Sequence, residues 1–288
     1  MSLKKMILLF VCMFAFVLLS GGAAMAESKG KVELAYVEWA SELASSNVVR
    51  AVLERMGYEV ELTPVAVGPM YMGVASGDVD GTLASWQPIQ RDNLKAMGDR
   101  LVNLGPNIRG VRSGLVVPSY VTIDKIADLT ENADKFDNEI IGIDPGAGVM
   151  QQTETAMSKY NVKNMELIDS TGAMMTATLK DRIRQKKWCV VTGWTPHWMW
   201  GVWDLKYLKD PEKVYGSSED GSILTLVRKG LKKDKPEVYS VLDKFFWTPD
   251  EMAEVMVWIK NGMDPKEAGR KFIAKHPERY KEWSGLEY

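Results

Sequence analysis

Cysteine and histidine are nearly absent from this sequence, with two of each among 288 residues. Cys12 sits inside an apolar N-terminal run, so a chain trimmed of that run keeps Cys189 alone and cannot form an internal disulfide. Stability must then come from a sizeable core, which a chain of this length can build. Cys189 lies in an apolar stretch with no second cysteine and reads as structural filler. Metal-ligand spacing is missing, and neither a metal nor a cofactor is expected.

An excess of positive charge is missing as well. Lys and Arg number 36 against 38 Asp and Glu, which argues against nucleic acid or an anionic membrane surface as the partner. Long apolar runs are confined to residues 6–19, preceded by Lys4 and Lys5 and followed by Ala24, Met25 and Ala26. The run is short for a membrane span, and its flanks are those of an export signal. Residues 1–26 are therefore expected to be a signal peptide cleaved after Ala26, which leaves a periplasmic protein without a cysteine for lipid attachment. Catalytic signatures are lacking too: there is no GxSxG elbow and no HExxH pair. Asp78, Asp80 and Asp144 with Ser85 or His197 could be arranged as a secreted hydrolase, but strand-end aspartates are mostly turn and cap residues. No enzymatic activity is expected.

Tryptophan is what the chain has in plenty. Of ten, four (Trp194, Trp198, Trp200 and Trp203) fall within ten positions. Residues 188–192 read as a short apolar strand, and the Gly193-Trp194-Thr195-Pro196 that follows is turn chemistry expected to carry the Trp194 ring away from the sheet. Trp198, Trp200 and Trp203 are expected to pack the edge of a core. Earlier, residues 31–37 alternate as a strand that delivers Trp39. Ser41 is the expected N-cap of a helix over 42–56, and residues 58–67 return as a second strand, which makes a βαβ unit. A strand over 79–85 then runs straight into Trp86. Alternation of strands and helices continues through residues 139–144, Pro145-Gly146-Ala147-Gly148, a helix over 149–160 and a strand at 223–227, so the class is α/β.

Three tryptophans at strand ends suggest a box for a quaternary ammonium, which cannot donate hydrogen bonds and is recognised by surrounding ring faces. Each face contributes roughly 0.5–2 kcal/mol, whereas micromolar affinity needs about 8 kcal/mol. A zwitterion's carboxylate must be paired too, by the N–H groups of Gly148 and Val149 at a helix N-terminus and by a cation such as Arg91. An arginine at that place serves equally well as a solvated surface group.

The segments AYVEWASELASSN (35–47), VGPMYMGVASGDVDGTLASWQP (67–88), IGIDPGAGVM (141–150) and VVTGWTPHW (190–198) closely resemble the glycine betaine-binding proteins of ABC importers. The likeness extends over nearly all of the chain beyond the leader. It implies a cage of Trp39, Trp86 and Trp194, with carboxylate contacts at the backbone of Gly148 and Val149. It also implies a donor five residues after the second tryptophan, where this chain has Arg91 in place of a histidine. Tyr71 and His197 are further candidates for lining the cleft. The implied fold is a type II periplasmic-binding-protein fold of two α/β domains, each a mostly parallel sheet flanked by helices, with the ligand cleft between them. The first domain is expected over 27–117 plus 223–288 and the second over 118–222, with chain crossings near 116–120 and 221–225. The implied partners are a small betaine and an ABC permease and ATPase in the inner membrane. Choline or carnitine is the alternative ligand.

Overall fold

The structure, a computed structural model, describes residues 28–217, 219 and 221–288, so the expected leader lies outside the described residues. The chain runs through β1 (Lys31–Tyr36), α1 (Ala40–Arg55), β2 (Glu59–Pro64), α2 (Val67–Ser76), β3 (Gly81–Gln87), α3 (Arg91–Met97) and β4 (Leu101–Arg109). It continues with β5 (Arg112–Pro118), a 3₁₀ helix (Ile126–Phe136), β6 (Glu139–Ile141), α4 (Gly148–Lys159), β7 (Glu166–Ile168) and α5 (Gly172–Arg184). Next come β8 (Val191–Thr195), α6 (Met199–Val202), β9 (Leu205–Tyr207) and β10 (Ser222–Arg228). Helices α7 (Leu231–Asp234), α8 (Pro236–Lys244), α9 (Pro249–Lys260), α10 (Pro265–Lys275) and α11 (Pro277–Ser284) complete it. No helix among the described residues is long and apolar enough to cross a membrane.

Two five-stranded sheets organise these elements, in the orders β2-β1-β3-β10-β4 and β7-β6-β8-β5-β9. Each is mixed rather than mostly parallel. The pairs β2-β1-β3 and β7-β6-β8 are parallel, whereas β10 and β5 run antiparallel to both of their neighbours. The reason is how these two strands arrive. Each enters its sheet directly from the other lobe, without the helical crossover that a parallel strand needs.

The chain changes sheet at Gly110 and Val111, and returns at Gly221. The two passages touch, since the N–H groups of Gly110 and Val111 donate to the Gly221 carbonyl at 2.9 and 3.4 Å. The strand expected to close the first lobe, β5, thus belongs wholly to the second sheet. The edge strand of that sheet beside β5 is β9. Gly105, Pro106 and Asn107 lie within β4. There the pairing with β10 slips, which accommodates a proline without an N–H to offer.

Local chemistry sets the helix ends. Thr248 Oγ1 accepts from Glu251 N at 3.2 Å while Glu251 Oε2 accepts from Thr248 N at 2.7 Å, a reciprocal cap that starts α9. At α1 the cap position falls on Trp39, not Ser41. Ser41 is drawn inward, where its hydroxyl donates to the buried Glu42 at 2.6 Å. Cys189 is buried and free, and burial pushes its thiol up to about 12. Met175 is fully buried, as core filler should be, but its neighbour Met174 is exposed.

A Cβ at Gly221 would stand 1.8 Å from the Val111 carbonyl oxygen, whereas at Gly201 it would meet nothing within 4 Å. Gly221→Ala should therefore cost about 1–3 kcal/mol of stability in urea unfolding, with Gly201→Ala within about 0.5 kcal/mol of the parent. Equal midpoints for the two variants would refute the role given to this passage.

Candidate ligand site

Trp39 follows β1, Trp86 lies near the end of β3, and Trp194 lies within β8. Trp194 is therefore a strand residue paired with Ser113 of β5, not a turn residue thrown clear of the sheet. All three rings are buried. They meet around one small cavity, lined also by Ile89, Ser113, Ile143, Gly148 and Val149. The Trp39 and Trp194 ring centroids are 6.4 Å apart with planes inclined at 52°, so the two rings form an angled wall and not a stack. Trp39, Trp86 and Ile89 come from the first-sheet side, and the other lining residues come from the second.

Two of the indoles are held by carboxylates outside the cavity. Trp86 Nε1 donates to Glu42 Oε1 at 2.6 Å, and Trp39 Nε1 donates to Asp144 Oδ2 at 2.9 Å. The second bond joins the first-sheet side to the second-sheet side. Anchoring an indole N–H on a fixed carboxyl oxygen sets the ring's orientation and leaves its faces free for other contacts. Trp194 Nε1 is buried without a partner among the described residues, but its backbone carbonyl accepts from Trp200 Nε1 at 2.8 Å.

The rear of Trp86 is braced by Gln90. Its Oε1 accepts from Trp86 N and from the Tyr71 hydroxyl, each at 3.0 Å, and Tyr71 also meets Ser85 Oγ at 2.7 Å. Tyr71 is thus a support behind the ring, not a lining residue, and burial pushes its phenol up so that it stays neutral. Arg91, next along the chain, is exposed. It lines a separate cavity with Pro88, Gln152 and Lys213, so the structure does not bring it into the cage. The inward turn of Gln90 leaves the following residue on the outside.

Gly148 and Val149 open α4 against the cage. Their amides belong to the first turn, where no intrahelical acceptor exists, and no backbone acceptor among the described residues takes them. A Cβ at Gly148 would lie 2.6 Å from the Ile89 carbonyl oxygen, so only glycine lets this helix end approach the opposite side so closely.

His197 lies on the far side of Trp194, with ring centroids 4.9 Å apart at 80°. Burial lowers its pKa to about 3, and Nδ1 of the neutral ring accepts from Met199 N at 3.1 Å. It lines a second, larger cavity with Thr176, Trp198 and Lys260, where the Lys260 ammonium stands 4.9 Å from the Trp198 ring centroid. Trp198 also packs on Trp203 at 5.4 Å, in line with a framework role.

Glu42, Gln90, Ile89, Ser113 and Ile143 were not singled out from the sequence. Glu42 carried a signal, since it stands seven and eleven positions before Val49 and Leu53 and so shares their apolar helix face. An acid in that register needs an internal partner, and Trp86 is that partner.

Burial raises the pKa of Glu42 to about 7 despite the bonds from Ser41 and Trp86. Between its ordinary value of 4.5 and about 7 the folded chain holds a proton that the unfolded chain has released. Stability should therefore fall as pH rises through that window. Urea midpoints measured from pH 4.5 to 8 should show a smaller decline for Glu42→Gln than for the parent, and identical profiles would contradict this.

Solved structures share this architecture. The crystal structure of lactococcal OpuAC, closed on glycine betaine, superposes with a TM-score of 0.84 at 42% identity, covering 88% of this chain and 99% of that one. The glycine betaine/L-proline-binding protein ProX of Borrelia burgdorferi gives 0.85 at 37% identity, covering 88% and 96%. The glycine betaine/carnitine transport binding protein GbuC of Listeria monocytogenes is 49% identical over 147 residues, 50% of this chain and 48% of the relative. The match thus spans about half of that relative's length. Residues 30–275 match the family described as the substrate binding domain of ABC-type glycine betaine transport systems, and the chain belongs to that family.

Proposed function

We propose that this chain captures glycine betaine, or a closely related betaine, and presents it to an ABC permease and ATPase without altering it chemically. The observation that carries the reading is the convergence of three buried indoles on one small cavity that also holds two unpaired helix-terminal amides. The trimethylammonium would sit against the rings, and the carboxylate would take the amides of Gly148 and Val149. Family membership supports the same ligand class. Export to the periplasm belongs to this proposal and rests on the leader pattern of residues 1–26.

The lobes would run over 28–110 plus 221–288 and over 111–217, and the adjoining passages at Gly110, Val111 and Gly221 would act as the hinge. Ligand contacts from both sides favour the closed form, since an open cleft offers only half of them. The bond between Trp39 and Asp144 and the approach of Gly148 to Ile89 belong to the same closed arrangement.

Titration calorimetry on the purified protein tests this. Glycine betaine should bind one to one, and replacing Trp39, Trp86 or Trp194 by Ala should weaken it roughly tenfold or more. Arg91→Ala should stay within about threefold, since an exposed charge outside the cavity contributes little. Proline betaine, carnitine and choline in the same series rank the ligands. Failure of every quaternary ammonium compound to bind would overturn the reading.

A further inference from the structure

The polar groups that line the cage are few. Trp39 and Trp86 have already committed their N–H groups to Asp144 and Glu42, and Ile89, Ile143 and Val149 offer no polar side chain. What remains among the lining residues is the buried Trp194 Nε1–H, the pair of free amides and one hydroxyl, that of Ser113.

Ser113 is only 8% exposed, and no side-chain hydrogen bond of its Oγ is found among the described residues. Its direction follows from strand pairing. Ser113 stands directly opposite Trp194 in the antiparallel pair of β5 and β8, and residues directly opposite in such a pair project from the same sheet face. The hydroxyl therefore emerges on the side that carries the Trp194 ring, against the cavity that both residues line. The hydroxyl is not among the fully buried polar atoms, so on the rim of the cavity it can reach a ligand that supplies an acceptor.

We infer that Ser113 is a ligand-binding residue whose hydroxyl donates to the carboxylate of a bound betaine, a third donor beside the Gly148 and Val149 amides. This rests on the betaine reading above. The carboxylate needs such a donor because the cavity lining contains no basic side chain. A hydroxyl at this place also separates ligands by their anionic end: a zwitterion gains a charge-assisted bond, whereas a ligand with only an ammonium gains nothing.

The test is calorimetry with glycine betaine and with tetramethylammonium, which fills the cage but has no carboxylate. Ser113→Ala should weaken glycine betaine roughly 10- to 100-fold, as expected for a hydrogen bond to a charged group, and leave tetramethylammonium within about twofold. Ser113→Thr keeps the hydroxyl and should retain most of the affinity. Ser113→Cys, nearly the same size with a weak donor, should behave like the Ala variant and serves if that variant folds poorly. Parent-like betaine affinity in the Ala and Cys variants would overturn the inference, as would equal loss for both ligands, which would mark a packing effect on the cage. A parent protein that binds neither ligand would instead refute the betaine reading itself.

Discussion

A permanent cation with no hydrogen to donate can be taken out of water only by surrounding it with polarisable, electron-rich faces, and those faces must already be in place before it arrives. Indole is the strongest such face, but it carries an N–H that must be satisfied elsewhere when the ring is buried. This chain meets that constraint for two of the three rings by seating Trp86 on Glu42 and Trp39 on Asp144, so those ring faces stay uncommitted.

The fold supplies the places from which these rings converge. Each sheet is parallel in one half and receives a single strand from the opposite lobe, β5 in one case and β10 in the other. These exchanged strands put the two passages side by side and leave strand ends of both sheets facing one crevice, the usual place for a ligand in open α/β sheets. Ser113 shows the consequence. It is the second residue of the strand that has just crossed, so a residue next to the passage forms part of the cage wall beside Trp194.

Much of this was legible in the sequence, and the limits are physical. Trp39, Trp86 and Trp194 stood out because each follows a short apolar strand, and that signal needs only neighbouring residues. The amides at Gly148 and Val149 were readable for the same reason. Strand partners were not, because β5 pairs with β8 and β10 with β3 across long stretches of chain. The first crossing was accordingly placed too late, the sheets were expected to be more parallel than they are, and Trp194 was assigned to a turn. Arg91 illustrates a subtler limit. Counting from Trp86 gives its position along the chain, but the inward Gln90 side chain decides that Arg91 faces outward.

The central claim is that ring faces bind charge rather than merely apolar bulk. Its most direct test compares glycine betaine with 3,3-dimethylbutyrate, in which a carbon replaces the nitrogen while shape and carboxylate are kept. If three indole faces solvate the cation, the isostere lacking the positive centre should bind more weakly by roughly thirtyfold or more in calorimetry. Equal affinity for the two would contradict the account, because the cavity would then be reading size and the carboxylate alone.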